Sequence, residues 1–355
     1  MREKLTVLMT GAGAPGAPGI IRCYRSNKER DLRIVGVDMK EHVPTVDILD
    51  AFHTVPPAAS DEFCDRLLDT AVKEGAAVVQ SIVTRELDVL AGVKDKFEEK
   101  GIRLCCPDRR AISIANDKGQ LYDHMKENGL VTPDYVKVHD IDEFTRACKD
   151  LGYPDRPICF KPTKGNGSRG FRIIDEGVDS FDLLFNEKPN SLYISMDQIQ
   201  SILSSRDEMP ELLVMEYMPG EEYSVDTLAD NGSTIVAIPR KRLKMSGGIS
   251  VDCVVENNEQ IIDYCRQINR ELNLDGNIGI QVRADSDGVY KILEINPRLQ
   301  GSVVACQAAG VNLPYLAIKK ALGEPIGSID VLWGTEMIRS YNETFFDASG
   351  NAFTL

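Results

Sequence analysis

What most constrains this chain is an alternation across about its first hundred residues. Short apolar runs (LTVLMTG, RIVGVDM, AAVVQSI, IRLCC) are separated by helical stretches such as IIRCYRSN, DEFCDRLLDTAVKEG and RELDVLAGVKDKFEEKG. A βαβ series of this kind implies a mostly parallel sheet, and Pro107 closes it. A helix is then expected over about 117–128, ended by Gly129, followed by a strand TPDYVKV and a helix capped by Asp140. RPICFKP, a basic glycine-rich tip at 163–170, and FRIID read as a hairpin, and the polar stretch 177–210 as helical in part around 196–205. From Leu212 strands dominate: LLVMEYM, EYSVDTLAD, STIVAIPRKRL, NIGIQVRAD and VYKILEINPR, with Asn231-Gly232 and Asp287-Gly288 as turns and one helix, EQIIDYCRQINREL.

At 355 residues the chain exceeds one ordinary core and should form two or three compact units. A formal net charge of -14 argues against nucleic acid as the main partner, although a few local cations and a metal ion can still hold a nucleotide. No apolar run approaches the roughly 20 residues needed to cross a bilayer, so no membrane partner is expected. The start, Met1 to Lys4 and then LTVLMTG, has no secretory pattern, and a cytoplasmic location is expected. The 9 cysteines show no CxxC pair and read as reduced core thiols.

Gly11, Gly13 and Gly16 match GxGxxG after a strand, and Asp38 ends the next strand near the place of a ribose-binding acid. Pro15 and Pro18, however, remove amides that a pyrophosphate would need, so packing glycines in a tight turn are the better reading.

Lys161 lies on an apolar strand, where a cation requires a negative partner or a wet cleft. The loop after it, from Lys164 through Gly165, Asn166, Gly167, Ser168 and Arg169 to Gly170, can wrap phosphates with backbone amides, although it is no Walker loop. Glu294 and Asn296, at i and i+2 on a strand, project two oxygen donors from one face, and Gln281 on the preceding strand could add a third. Arg298 is suited to clamping a phosphate or carboxylate at two points. Arg240, Lys241, Arg242 and Lys244 put cations along one strand, for which a solvated edge strand is the plain account.

These residues resemble the ATP-grasp superfamily, in particular the carbamoyl phosphate synthetase-like and carboxylate-amine ligase branch, over most of the chain. The resemblance implies an α/β (α+β) fold, with a Rossmann-like N-terminal domain over 1–108 followed by a two-lobed ATP-grasp fold. In that reading 109–212 is the small lid subdomain and 213–355 the large one. Lys118 and Lys161 would be the two nucleotide-binding lysines, with Gly167 and Ser168 in the lid loop. Glu216 would lie near the adenine amino group, the backbone of Tyr217 and Met218 on the adenine edge, and Glu222, in competition with Glu221, on the ribose. Gln281, Glu294 and Asn296 would hold Mg2+, or Mn2+ in its place. Arg298 would face phosphate or substrate, as would Arg242 or Arg240.

The function so implied is an ATP-dependent ligase that activates a carboxylate as an acyl phosphate for attack by an amine. It would act on small molecules, and a homodimer is compatible. Three alternatives were set against it: a nicotinamide-dependent oxidoreductase using the first glycine loop, a carbamate-phosphorylating enzyme, and a non-catalytic nucleotide sensor.

Overall fold

The computed structural model describes residues 2–165, 167, 169–187 and 192–354. Two compact units form, one from Met1–Ser113, Glu222–Val282 and Ile295–Leu355, the other from Ile114–Glu221 and Arg283–Glu294.

The first unit opens with β1 (Arg2–Thr10), α1 (Ala17–Arg25), β2 (Arg30–Asp38), β3 (Ala51–Thr54), α2 (Phe63–Lys73), β4 (Val78–Gln80), α3 (Thr84–Ala91), α4 (Lys94–Glu98) and β5 (Arg103–Cys105). These strands make a parallel sheet in the order β3-β2-β1-β4-β5. Both faces are covered, which is why the strands read as continuous apolar runs. Val7 and Met9 of β1 pack with Ile20, Ile21 and Tyr24 of α1, while Leu8 points the other way toward Phe63, Leu67 and Leu87. The stretch expected as one helix, RELDVLAGVKDKFEEKG, is broken at Gly92-Val93 into α3 and α4.

α5 (Arg109–Asn116) leads into the second unit, which holds α6 (Lys118–Glu127), β6 (Tyr135–Val138), α7 (Ile141–Asp150), β7 (Ile158–Pro162), β8 (Arg172–Ile174), α8 (Ser180–Phe185), α9 (Met196–Leu203) and β9 (Leu212–Glu216). The antiparallel order β6-β9-β7-β8 includes the expected β7–β8 hairpin. Asp117 and Asp140 cap α6 and α7, each accepting an amide three residues on. Phe144 of α7 meets Phe160 of β7 edge to face at 5.3 Å, in a core with Val138, Ile174, Ile199 and Val214.

The chain continues through β10 (Glu222–Asp230), β11 (Ser233–Ser246), β12 (Ile249–Val255), α10 (Glu259–Glu271), β13 (Gly276–Ala284), β14 (Tyr290–Asn296), α11 (Val304–Ala308), α12 (Leu313–Ala321) and β15 (Glu336–Ile338), ending in the small pair β16 (Phe345–Phe346) and β17 (Ala352–Phe353). The large sheet runs β14-β13-β10-β11-β12-β15. β11 is therefore an interior strand, paired on both sides. This corrects the expectation of a solvated basic edge: Arg240 is 0% exposed. Among the described residues, no helix is long and apolar enough to cross a membrane.

Candidate functional site

In the second unit, Lys118 and Lys161 converge on one stretch of β14, Lys118 at Glu294 and Lys161 at the Leu293 carbonyl. The Asp117 cap starts α6 so that Lys118 is its first residue, and the Lys118 amide bonds to the Thr163 carbonyl at 2.9 Å, strapping the helix start to the end of β7. The Lys118 Nζ donates to the Gly165 carbonyl at 2.7 Å and lies 3.8 Å from Glu294 Oε2. Lys161 Nζ donates to Tyr122 Oη at 3.0 Å and to the Leu293 carbonyl at 2.9 Å, and Tyr122 Oη donates to the same carbonyl at 3.0 Å.

Both lysines are only 8% exposed. Burial pulls the Lys118 pKa below the ordinary lysine value; Glu294 resists and the charge of Lys161 adds to the depression. Two half-desolvated ammonium groups beside one carboxylate make a place where polyanionic oxygens would be welcome. Tyr122 was missed in the sequence, although it stands four residues after Lys118 and so on the same helix face. Gly167 takes a positive φ of 70° in the loop after β7, while Ser168 lies outside the described residues.

Glu216, Tyr217 and Met218 follow directly at the end of β9. The Glu216 amide bonds to the Asp134 carbonyl at 3.0 Å, and its carbonyl accepts the Cys159 thiol at 3.4 Å. Met218 is buried, 3% exposed. The turn after it needs glycine: a Cβ on Gly220 would sit 2.7 Å from the Ala284 Cβ.

In the first unit, Arg242 gathers two other expected residues. Its Nη1 lies 2.5 Å from Glu222 Oε1 and 3.1 Å from Gln281 Oε1, and Nη2 donates to the Gly248 carbonyl at 2.7 Å. Arg240, left as the alternative to Arg242, is committed elsewhere. It pairs with Asp226 at 2.6 Å and donates to Ser302 Oγ at 3.0 Å and Gln300 Oε1 at 3.3 Å. Burial works against its charge, but Asp226 holds its pKa above the usual arginine value.

Arg298 donates to Asn296 Oδ1 at 3.1 Å, to the Leu299 carbonyl at 2.7 Å and to Thr84 Oγ1 at 2.8 Å. It thus reaches the start of α3, just past the loop that follows β4. That loop is anchored by Glu86, 9% exposed, whose Oε2 accepts the hydroxyls of Ser81 at 2.8 Å and of Thr10. Burial raises the Glu86 pKa, with the two hydroxyls opposing. Because the folded carboxyl holds its proton more tightly than the unfolded one, its contribution favours the fold at low pH and is lost as pH rises through the raised pKa. Glu86→Gln keeps an acceptor for both hydroxyls, and its melting temperature should gain on the wild type as pH rises above the ordinary glutamate range. A difference that stays constant as pH rises would refute this assignment.

The first glycine loop is packed. A Cβ on Gly16 would lie 2.5 Å from the Gly301 Cα, and Asp38 accepts the Gly13 amide at 2.8 Å and the Lys40 amide at 3.0 Å. The carboxylate placed by sequence for a ribose is thus turned back on the loop itself. Among the described residues no group of three His, Cys, Asp or Glu side chains could hold a metal. A sparse magnesium set of one carboxylate with amide and phosphate oxygens is the form the chain could offer.

Residues 208–340 match the family model "ATP-grasp in the biosynthetic pathway with Ter operon", and residues 7–105 match "PylC-like, N-terminal domain". Among curated proteins, the carbamoyl phosphate synthase large chain of Clostridium acetobutylicum is 22% identical over 240 residues, covering 65% of this chain and 21% of that one. That of Archaeoglobus fulgidus is 24% identical over 248 residues, covering 66% and 21%. The chain therefore spans about one fifth of the length of these relatives. Among solved structures, the ADP complex of purK, an N5-carboxyaminoimidazole ribonucleotide synthetase, aligns with a TM-score of 0.68 at 16% identity, covering 93% of this chain and 79% of that one. The biotin carboxylase domain dimer of Hydrogenobacter thermophilus 2-oxoglutarate carboxylase, in complex with MgADP, ADP and bicarbonate, aligns with a TM-score of 0.67 at 19% identity, covering 92% and 71%. The mixed α/β fold class expected from the sequence is the one these likenesses share. The chain carries an ATP-grasp domain together with a PylC-like N-terminal domain.

Proposed function

We propose that this chain is an ATP-dependent ligase of the carboxylate-amine type. A substrate carboxylate oxygen forms a bond to the γ-phosphorus of ATP while the bond to ADP breaks. An amine nitrogen then attacks the acyl carbon, phosphate leaves, and the nitrogen loses a proton, giving an amide. The reaction asks for positioning and charge neutralisation and for no side-chain nucleophile.

The observation that carries this reading is the joint placement of Lys118 and Lys161 around Glu294 and the carbonyl before it, in the same unit as the Glu216–Met218 turn. Lys118 and Lys161 would hold phosphates, with the lid-loop glycine Gly167 above them. Glu216, Tyr217 and Met218 would take the adenine, and Glu222 the ribose. Glu294 and Asn296, two residues apart on β14, fit a magnesium ion that also takes phosphate oxygens; bound there, it would neutralise charge on the transferred group. Gln281 Oε1 already accepts from Arg242, so Gln281 fits better as a positioning partner than as a strong ligand. Arg298 and Arg242 would hold the phosphate or the acceptor carboxylate.

The finer assignments belong to the same proposal: domains over 1–108, 109–212 and 213–355, small-molecule carboxylate and amine substrates, Mn2+ as a surrogate metal, a homodimer and cytoplasmic residence. The packed glycine loop speaks against a nicotinamide cofactor. Parallel titrations with MgATP and NADH, followed by an ADP-release assay over paired carboxylates and amines, test the reading. MgATP should bind and NADH should not, and ADP should be released over repeated turnovers only when both substrates are present. Tight NADH binding without MgATP binding would reverse the assignment.

A further inference from the structure

One half-buried cation beside the Glu216 turn takes no part in the chemistry proposed above. Lys291, the second residue of β14, has a side chain 13% exposed and bridges Glu216 Oε1 at 2.7 Å and Asp285 Oδ2 at 2.9 Å. The same Glu216 oxygen accepts the Asp134 amide at 2.8 Å. Two donors on one oxygen fix the carboxylate plane, since rotating it would break both bonds.

The turn is clamped to the same stretch of chain from its other end. The Gly220 amide donates to the Ala284 carbonyl and the Ala284 amide to the Glu221 carbonyl, each at 3.0 Å. Arg283 Nε donates to the Gly220 carbonyl at 3.1 Å, and its guanidinium lies 5.5 Å from the centre of the Tyr217 ring. Lys291 therefore ties the start of the turn, Glu216, to Asp285, the residue just past the clamp. Burial works against the Lys291 charge, but the two carboxylates hold its pKa above the ordinary value, so it stays cationic at neutral pH.

We propose that Lys291 is a positioning residue that sets base selectivity: with Glu216 Oε1 held by Lys291 and Asp134, Oε2 is left oriented to accept a purine 6-amino group and to repel a 6-oxo group. The inference rests on the ATP reading of this site. A donor on the base meets an acceptor, whereas a guanine oxygen would meet a carboxylate with no proton between them.

Calorimetric titration with MgADP and MgGDP tests it. Wild type should prefer MgADP. Lys291→Met should weaken MgADP binding at least about tenfold and narrow the ADP-to-GDP ratio, and Lys291→Arg should restore most of both. Asp285→Asn removes only the second partner of Lys291 and should lower stability while keeping the ratio. Glu216→Gln, which keeps the shape but can donate to a 6-oxo group, should also narrow the ratio, and serves if Lys291→Met does not fold. A destabilised Lys291→Met or a Glu216→Gln with the wild-type ratio would reduce Lys291 to a structural ion pair and overturn the proposal. Wild type that binds neither nucleotide would bring down the ATP reading itself, whereas preferential MgADP binding unmoved by these substitutions would leave that reading standing.

Discussion

Replacing Glu294 by alanine is expected to cut magnesium-dependent ADP release at least about 100-fold, roughly 2.7 kcal/mol in barrier, with the fold retained. Glu294 is the only carboxylate in the proposed metal set, so Asn296 would be left with its neutral oxygen. Magnesium bound by that and phosphate alone would be held weakly, and raising its concentration should recover part of the rate. The side chain is 27% exposed, so its removal opens no large cavity. Lys118 loses a partner at 3.8 Å but keeps the Gly165 carbonyl, and circular dichroism should show an intact protein. Unchanged turnover in Glu294→Ala would end the metal assignment.

The largest effect on stability is expected at Arg240. Arg240→Ala strands Asp226, 3% exposed, without its countercharge and also frees Gln300 and Ser302. Breaking one side of a buried pair typically costs about 3–5 kcal/mol, a large share of the roughly 5–15 kcal/mol by which folded proteins are stable. Urea denaturation should record that loss, and Arg240→Leu combined with Asp226→Leu should regain much of it, because the uncompensated charge goes as well. A loss under about 1 kcal/mol in the single variant would show that water or another group satisfies Asp226.

The parallel sheet was legible because strands buried on both faces leave unbroken apolar runs, and the antiparallel part because Asn231, Gly232 and Gly288 adopt the positive φ their turns demand. Asp140 announced its helix through a local cap, which needs no knowledge of the rest of the fold. What was hidden depended on partners far along the chain. β12 went unread behind Gly247-Gly248, and α5 because it follows so closely on Pro107. Arg240 reads as a surface cation because Asp226, which neutralises it, lies 14 residues earlier, on the neighbouring strand. Lys291 matters through Glu216, 75 residues away, so no local pattern marks it, and Tyr122 shares a helix face with Lys118 while its partner Lys161 lies 39 residues on. Asp38 has the spacing of a ligand acid, but its carboxylate is taken up by an amide of the glycine loop, in keeping with the packed turn that Pro15 and Pro18 imply.

The contact of Gly16 with Gly301 also bears on how the protein comes to be folded during synthesis. The first unit gathers residues from the beginning, middle and end of the chain, and the core around Val7, Ile20 and Tyr24 includes Leu299, Val303 and Ile318. A ribosome that has delivered only the opening βαβ half has made a sheet with one face covered by α1 alone, and it must add nearly two hundred residues before Leu299 and Val303 complete that cover. Closure over such separations is slow, and the waiting surface is sticky. The nascent chain should therefore lean on chaperones, and fragments ending near residue 113 should aggregate although their strand pairing is complete.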